Sequence, residues 1–218
     1  YLLGKIRFPH DSPIKKLSKA RIALAIIFGA FTLYLIPGVT NTKYANLTLI
    51  SGFPPPLYYS IYQQNSECIL NLNCSHDYEE GLKMAKAANK PVLLDFTGYA
   101  CVNCRRMEEN VWSDPEVYKI MKEKYIVVSL YVDDKKKLPA SQQFTYKTKD
   151  GVEKEIITIG NKWATFETEN FKNNAQPLYA ILNGDEKLLN NPVGYTPSIK
   201  EYKDWLLCGL EAFEKAGK

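Results

Sequence analysis

Apolar positions fall in short, separated blocks along this chain, and the spacing inside each block predicts an element. The first block, "IALAIIFGAFTLYLIPGVTNT" at 22–42, carries no charge and is apolar on every side. At 1.5 Å per residue, a helix of that length spans about 30 Å, the thickness of a bilayer core. Pro37-Gly38 stops it early, and Ile22–Ile36 alone is short, with Lys19 and Arg21 placed to snorkel. A buried core helix is the competing reading, but an all-round apolar surface fits lipid better than a one-sided amphipathic helix does.

Residues 40–66 read as a linker, because "GFPPPLYYSIYQQNSE" has three successive prolines that favour stiff, extended chain. The folded part then begins near His76. "DYEEGLKMAKAANK" has helical spacing at Leu82, Ala85 and Met84 or Ala88, and "PVLLDF" is a short buried strand. "CVNCRRMEENVW" continues as a helix. "SDPEVYKIMKEKY" starts another, with Asp114 as cap and Pro115 at its first position. "IVVSLYVDD" is a second strand, and two runs around Asp150-Gly151 form a hairpin. "NKWATFETENF" is a helix, "PLYAILN" a third core strand, "EKLLNNPVGYT" a fourth, and "SIKEYKDWLLCGLEAFEKA" an amphipathic closing helix. Alternating strands and helices followed by a hairpin predict an α/β fold: a four-stranded mixed sheet with helices on both faces.

Composition adds limits. With 45% hydrophobic and 24% charged residues, the chain can bury a sizeable core and is not of disordered type. A net charge of +4, without any nucleic-acid motif, gives no reason to expect DNA or RNA as a partner. The charge is uneven, however. Residues 1–21 hold Lys5, Arg7, Lys15, Lys16, Lys19 and Arg21 against Asp11 alone. If 22–36 enters a membrane, the positive-inside rule puts 1–21 in the cytoplasm and everything after the apolar block outside. The basic stretch reads as a loop of a larger membrane protein whose last spanning helix is this one. A cleaved signal peptide is the alternative, weakened by the lack of a small-x-small cleavage site.

The chemistry concentrates in "PVLLDFTGYACVNCRRMEENVW". Cys101 and Cys104 stand three apart at the start of a helix that follows a strand. Unpaired N–H groups and a partial positive charge at a helix N-terminus favour a thiolate at Cys101, and Cys104 is near enough to close a disulfide. Zinc would need a second pair, and a staple within one helix constrains little chain, so a redox pair is the favoured reading and no metal or other cofactor is expected. Asp95, six residues before Cys101 and inside an apolar strand, should have a raised pKa and could relay a proton for Cys104. Glu108 lies one turn after. Negative charge from both acids disfavours the thiolate, which suits a reductant better than an oxidant. Among the other cysteines, Cys68 and Cys74 either pair or remain thiols, and Cys208 is expected on the apolar face of the last helix. Trp163 reads as a packing anchor, with Tyr99 able to line the active face.

"VLLDFTGYACVNC" resembles the active-site segment of the thioredoxin fold, and "NNAQPLYAIL" is similar to the segment where that fold keeps a cis-proline, here Pro177 after Gln176. More narrowly, "CVNCRRMEENVWSDPEV" resembles the C-terminal periplasmic domain of the DsbD thiol:disulfide interchange family, with "GYACVNCRRME" and "LYVDD" closest to Bacteroidetes-type members. The likeness covers about 77–134 and 175–213 and leaves 135–174 as a longer insertion. It implies Cys101, Cys104, Asp95 and Glu108 as catalytic residues, with Gln176, Pro177 and Tyr99 against a partner chain. It also implies a layout of basic cytoplasmic loop (1–21), transmembrane helix (22–38), linker (39–75) and thioredoxin-like domain (76–218) held in the periplasm by the inner membrane. In that family electrons come from a membrane domain of the same protein and leave to periplasmic thiol:disulfide proteins, cytochrome c biogenesis among the outlets. An oxidase or isomerase on the same fold, or a binding module with idle cysteines, are the other readings.

Overall fold

The computed structural model describes residues 18–39, 47–53, 68–148 and 151–216. The basic stretch 1–17, most of the proline-rich linker and Asp150 of the expected turn lie outside these residues. The chain divides into two compact units between Leu49 and Ile50.

The first unit carries α1, Lys19–Leu35, capped by Ser18, whose hydroxyl accepts the Arg21 N–H at 3.3 Å. None of its side chains is buried. The helix gives way to a 3₁₀ turn, Ile36–Val39, at Pro37-Gly38, because proline lacks the N–H that the ladder needs. Lys19–Gly38 is long and apolar enough to cross a membrane.

The second unit is built on a sheet of four strands. They are β1 (Cys74–Ser75), β2 (Val92–Thr97), β3 (Ile126–Tyr131) and β6 (Leu178–Leu182), in the order β1-β3-β2-β6. The first three are parallel and β6 runs antiparallel to β2. Every residue of β2, β3 and β6 is buried, as mostly apolar runs without alternation require of strands covered on both faces. Alternation along β2 assigns the two faces. Val92, Leu94 and Phe96 point to α2 (Tyr78–Ala88) and α5 (Ile159–Phe171), packing with Tyr78, Leu82, Ala85 and Trp163. Leu93 points the other way, into a core with Met107, Trp112, Val117, Met121, Tyr202 and Leu206. These come from α3 (Val102–Met107) and the π-helical turn Glu108–Trp112 that continues it, from α4 (Pro115–Lys124), and from α6 (Ile199–Ala216). The α/β class with helices on both faces is what the residue pattern predicts.

Several elements differ in detail. The fourth strand is not 186–196, which meets the sheet only at the isolated bridges Leu182–Leu188 and Tyr179–Val193. Between those bridges stand Asn190, Asn191 and Pro192, and proline cannot donate to a ladder. The fourth strand is β1, two residues upstream of the expected start of the fold. The hairpin forms as β4 (Phe144–Lys147) and β5 (Glu153–Ile156), a separate antiparallel pair, with Gly151 at φ +83°. The remainder of the expected insertion is α5, the crossover that returns the chain to β6, capped by a reciprocal Thr158–Asn161 box. Trp163 is a packing anchor in the core beside Tyr78 and Phe166. Cys208 is a correction: it is exposed, because the contact face of α6 runs through Tyr202, Leu206 and Gly209 and leaves position 208 outside.

Candidate active site

The site forms where β2 runs into α3. Asp95 sits on the same face of β2 as Leu93 and Thr97, turned toward α3, and is only 2% exposed. Directly opposite in the register, Ser129 donates its hydroxyl to Asp95 Oδ2 at 3.0 Å. After Thr97 the chain turns through Gly98-Tyr99-Ala100. The Asp133 carboxylate accepts the N–H groups of Tyr99 (2.8 Å) and Ala100 (3.0 Å) and so braces the turn from the end of β3. Tyr99 is half-exposed and stacks on Tyr131 at 4.2 Å.

Cys101 is the N-cap of α3. Its sulfur accepts the Cys104 N–H at 3.1 Å, and the two cysteines are joined as a disulfide with Cα atoms 5.2 Å apart. A sulfur in this position gains from an otherwise unpaired helix N–H and from the positive end of the helix. Their exposure separates their roles: Cys104 is 1% exposed, whereas Cys101 is half-buried. One side of α3 is covered by part of the stretch assigned to the linker. Ser51 hydrogen-bonds to Glu109, and Gly52, at φ +83°, lies against Val102 so closely that a Cβ would come within 2.7 Å of the Val102 carbonyl oxygen. Only glycine meets both demands there.

Behind the cysteines lies a buried charged cluster. Arg105 Nη2 reaches Glu108 Oε1 at 2.6 Å and donates to Thr97 Oγ1 at 3.2 Å. Both ion-pair partners are nearly inaccessible. The π turn beginning at Glu108 adds a residue to one turn of helix, and Glu108, Val111 and Trp112 are buried along it. Burial raises Asp95 to about 6 against the opposing pull of the Ser129 hydrogen bond and the Arg105 and His76 charges. Burial raises Glu108 further, to about 8; Arg105 pulls it back, while Asp95 and Glu109 add to the rise. Two acids thus compete for the charge of one guanidinium, and the cluster retains a proton near neutrality.

A second loop reaches the same end of the sheet. Leu178 pairs with Phe96, so Pro177 continues at the level of Thr97, where β2 leads into the cysteine turn. The Gln176–Pro177 bond is cis. Gln176 Nε2 donates to Glu167 Oε2 at 2.9 Å and to the Asn174 carbonyl at 3.1 Å. The fold therefore brings Asp95, Cys101, Cys104 and Glu108 into one cluster, with Tyr99, Gln176 and Pro177 at the same edge. Arg105, Asp133 and Glu167 were not singled out from the sequence. The i, i+3 spacing of Arg105 and Glu108 was the available signal for the first of them. Cys68 and Cys74 form a disulfide apart from this cluster, joining the chain ahead of β1 to the strand itself. Among the described residues, no group of three His, Cys, Asp or Glu is arranged to hold a metal ion.

The raised carboxyl of Asp95 has a consequence for stability. Its folded pKa of about 6 exceeds its ordinary value of 3.8, so between these values the folded state holds a proton that the unfolded state has released. Stability falls as pH rises through this window, by about 3 kcal/mol for a group buried this deeply. Asp95→Asn keeps an oxygen for Ser129 but removes the titration. The oxidised variant is expected to be more stable than the parent at pH 8, with a flatter profile between pH 4 and 6 in urea unfolding. An unchanged slope would refute this assignment.

The family model described as "Thioredoxin-like" matches residues 73–184. Among solved structures, the chain is similar to a DsbH oxidoreductase, at 18% identity over 69% of this chain and 92% of that one, with a TM-score of 0.45. It is also similar to a thioredoxin from Thermus thermophilus, at 19% identity over 68% and 95%, TM-score 0.48. A third is the C-terminal domain of Neisseria meningitidis DsbD in its reduced form, at 14% identity over 59% and 90%, TM-score 0.40. No curated protein matches the chain.

Proposed function

The chain belongs to the thioredoxin-like family, and from that premise we propose that it is a membrane-tethered thiol:disulfide oxidoreductase working in the direction of reduction. Its Cys101–Cys104 pair takes two electrons from a membrane domain of the same protein and passes them to disulfides of periplasmic thiol:disulfide proteins, as the DsbD resemblance implies. Residues 22–38 are the tether, 1–21 its cytoplasmic loop, and the domain that runs from β1 to α6 is the exchanging unit in the periplasm. The pair itself is the redox group, with no other cofactor.

The observation that carries this reading is the division of labour between the cysteines. The more accessible Cys101 sulfur accepts a helix N–H, while Cys104 is buried close to the carboxyl cluster. In the forward reaction the Cys101 thiolate attacks one sulfur of the partner disulfide. A Cys101–partner disulfide forms and the partner's other sulfur leaves as a thiolate, which takes up a proton. Cys104 then gives its proton to the Asp95–Glu108 cluster and attacks the Cys101 sulfur. This breaks the Cys101–partner bond and releases the second partner thiolate, which takes up a proton in turn as the cluster returns one to solvent. The partner gains two electrons and two protons, and Cys101–Cys104 is left as a disulfide for the donor to reduce.

The test is equilibration of residues 50–218 against a dithiothreitol series, following the Cys101–Cys104 thiols in a variant lacking Cys208 and the second disulfide, Cys68–Cys74. A single two-electron transition is expected, with a midpoint near that of thioredoxin, about −270 mV. A midpoint near −120 mV would indicate an oxidase instead, and the absence of a transition would leave an idle pair.

A further inference from the structure

Glu167 is fully buried on α5, and one of its carboxylate oxygens, Oε1, has no hydrogen-bond partner. A carboxyl placed this way is costly unless it holds something in position. What it holds is Gln176, the residue before Pro177. Gln176 Nε2 has two hydrogens, and both are used: one on Glu167 Oε2 at 2.9 Å, the other on the Asn174 carbonyl at 3.1 Å. An amide with both hydrogens committed cannot flip without losing them, so its carbonyl oxygen is the group left to meet another molecule. Gln176 is half-buried at the mouth of the site, at the sheet end from which β2 runs into Cys101. The rest of its loop is braced independently: Lys172 closes α5 in the left-handed conformation, and Asn173 Oδ1 accepts the Ala175 N–H at 2.7 Å. Glu167 therefore governs the orientation of the Gln176 amide rather than the course of the loop.

We infer that Glu167 is a positioning residue for disulfide exchange, fixing Gln176 so that its side-chain carbonyl is presented as an acceptor to a docking polypeptide. The inference rests on reading Cys101–Cys104 as an exchanging pair. The favoured partner is an extended segment that brings a backbone N–H beside its reactive cysteine. A small disulfide with no N–H to offer gains nothing from Gln176.

The test uses the full chain in detergent and compares insulin, with dithiothreitol as electron source, with a single turnover of 5,5′-dithiobis(2-nitrobenzoate) by protein reduced beforehand and freed of dithiothreitol, which would otherwise reduce that disulfide directly. Glu167→Ala is expected to raise KM for insulin about tenfold, the loss of roughly one hydrogen bond, with little change in kcat. The rate with the aromatic disulfide should stay within about twofold. Glu167→Gln retains a side-chain acceptor for Gln176 Nε2 and is expected to restore the insulin KM. Gln176→Ala, which leaves α5 untouched, should reproduce the KM rise even if Glu167→Ala folds poorly. An unchanged insulin KM in Gln176→Ala, or equal losses with both substrates, overturns the inference while the exchange reading stands. A parent protein inactive toward both substrates overturns the exchange reading, and this inference with it.

Discussion

Cys101→Ser is expected to reduce insulin no faster than the dithiothreitol background, whereas Cys104→Ser is expected to accumulate as a covalent adduct with its partner. The two outcomes differ because the two sulfurs are placed differently. Cys101 caps the helix at the more open edge of the site, where a partner disulfide can approach it. Cys104 is 1% exposed, so an incoming disulfide reaches it only through Cys101. Removing Cys101 therefore removes the attacking thiolate. Removing Cys104 leaves the attack intact but removes the group that resolves the mixed disulfide. Non-reducing electrophoresis, with mass spectrometry of the trapped species, separates these outcomes and identifies the acceptor. Wild-type turnover in both variants would rule out a redox role for the pair. Trapping through Cys104 in Cys101→Ser would reverse the assignment of attacking and resolving sulfurs.

The parts of this site differ in how far they could be read from sequence. Mostly apolar runs without alternation reveal β2, β3 and β6, because a strand covered on both faces needs none. The two-residue β1 carries no period at all, and the only mark of its neighbourhood is a cysteine whose bond to Cys68 depends on three-dimensional placement. The carboxyl of Asp95 could be read as buried because its neighbours in sequence are its neighbours in the strand. The guanidinium of Arg105 could not. "Arg105-Arg106" looks like a solvated pair, yet helical geometry turns Arg105 inward with Cys104 and Glu108 and leaves Arg106 exposed. Cys208 shows the same problem in reverse. Its neighbours Leu206 and Gly209 are buried, and a rotation of about 100° per residue is enough to put position 208 outside. Glu167 was missed because its partner, Gln176, lies across a chain reversal that no periodicity records.

Arg105→Met is expected to destabilise the oxidised domain by about 3–5 kcal/mol at pH 8, the usual cost of leaving one member of a buried ion pair behind. Glu108 loses its guanidinium partner 2.6 Å away, Thr97 loses a donor, and Asp95 loses an opposing charge. The size of the loss should depend on pH, and the sign follows from the acids. Arg105 holds both carboxyl pKa values below what burial alone would give, so without it they rise further. At pH 5 the folded variant can keep both acids neutral and the cost shrinks. At pH 8 neutrality requires taking up protons from a dilute pool, or else bearing an unpaired charge, and the cost is largest. Adding Glu108→Gln to Arg105→Met removes the stranded charge and should recover at least half the loss. A double-mutant cycle in urea would then report a coupling of about 2 kcal/mol or more. A loss under about 1 kcal/mol, independent of pH and additive with Glu108→Gln, would mean that the pair contributes little and that burial, not Arg105, sets how tightly the cluster holds its proton. A large, pH-dependent coupling would instead make Arg105 the group that sets how tightly the cluster binds its proton, and so how readily Cys104 gives one up when it resolves the mixed disulfide.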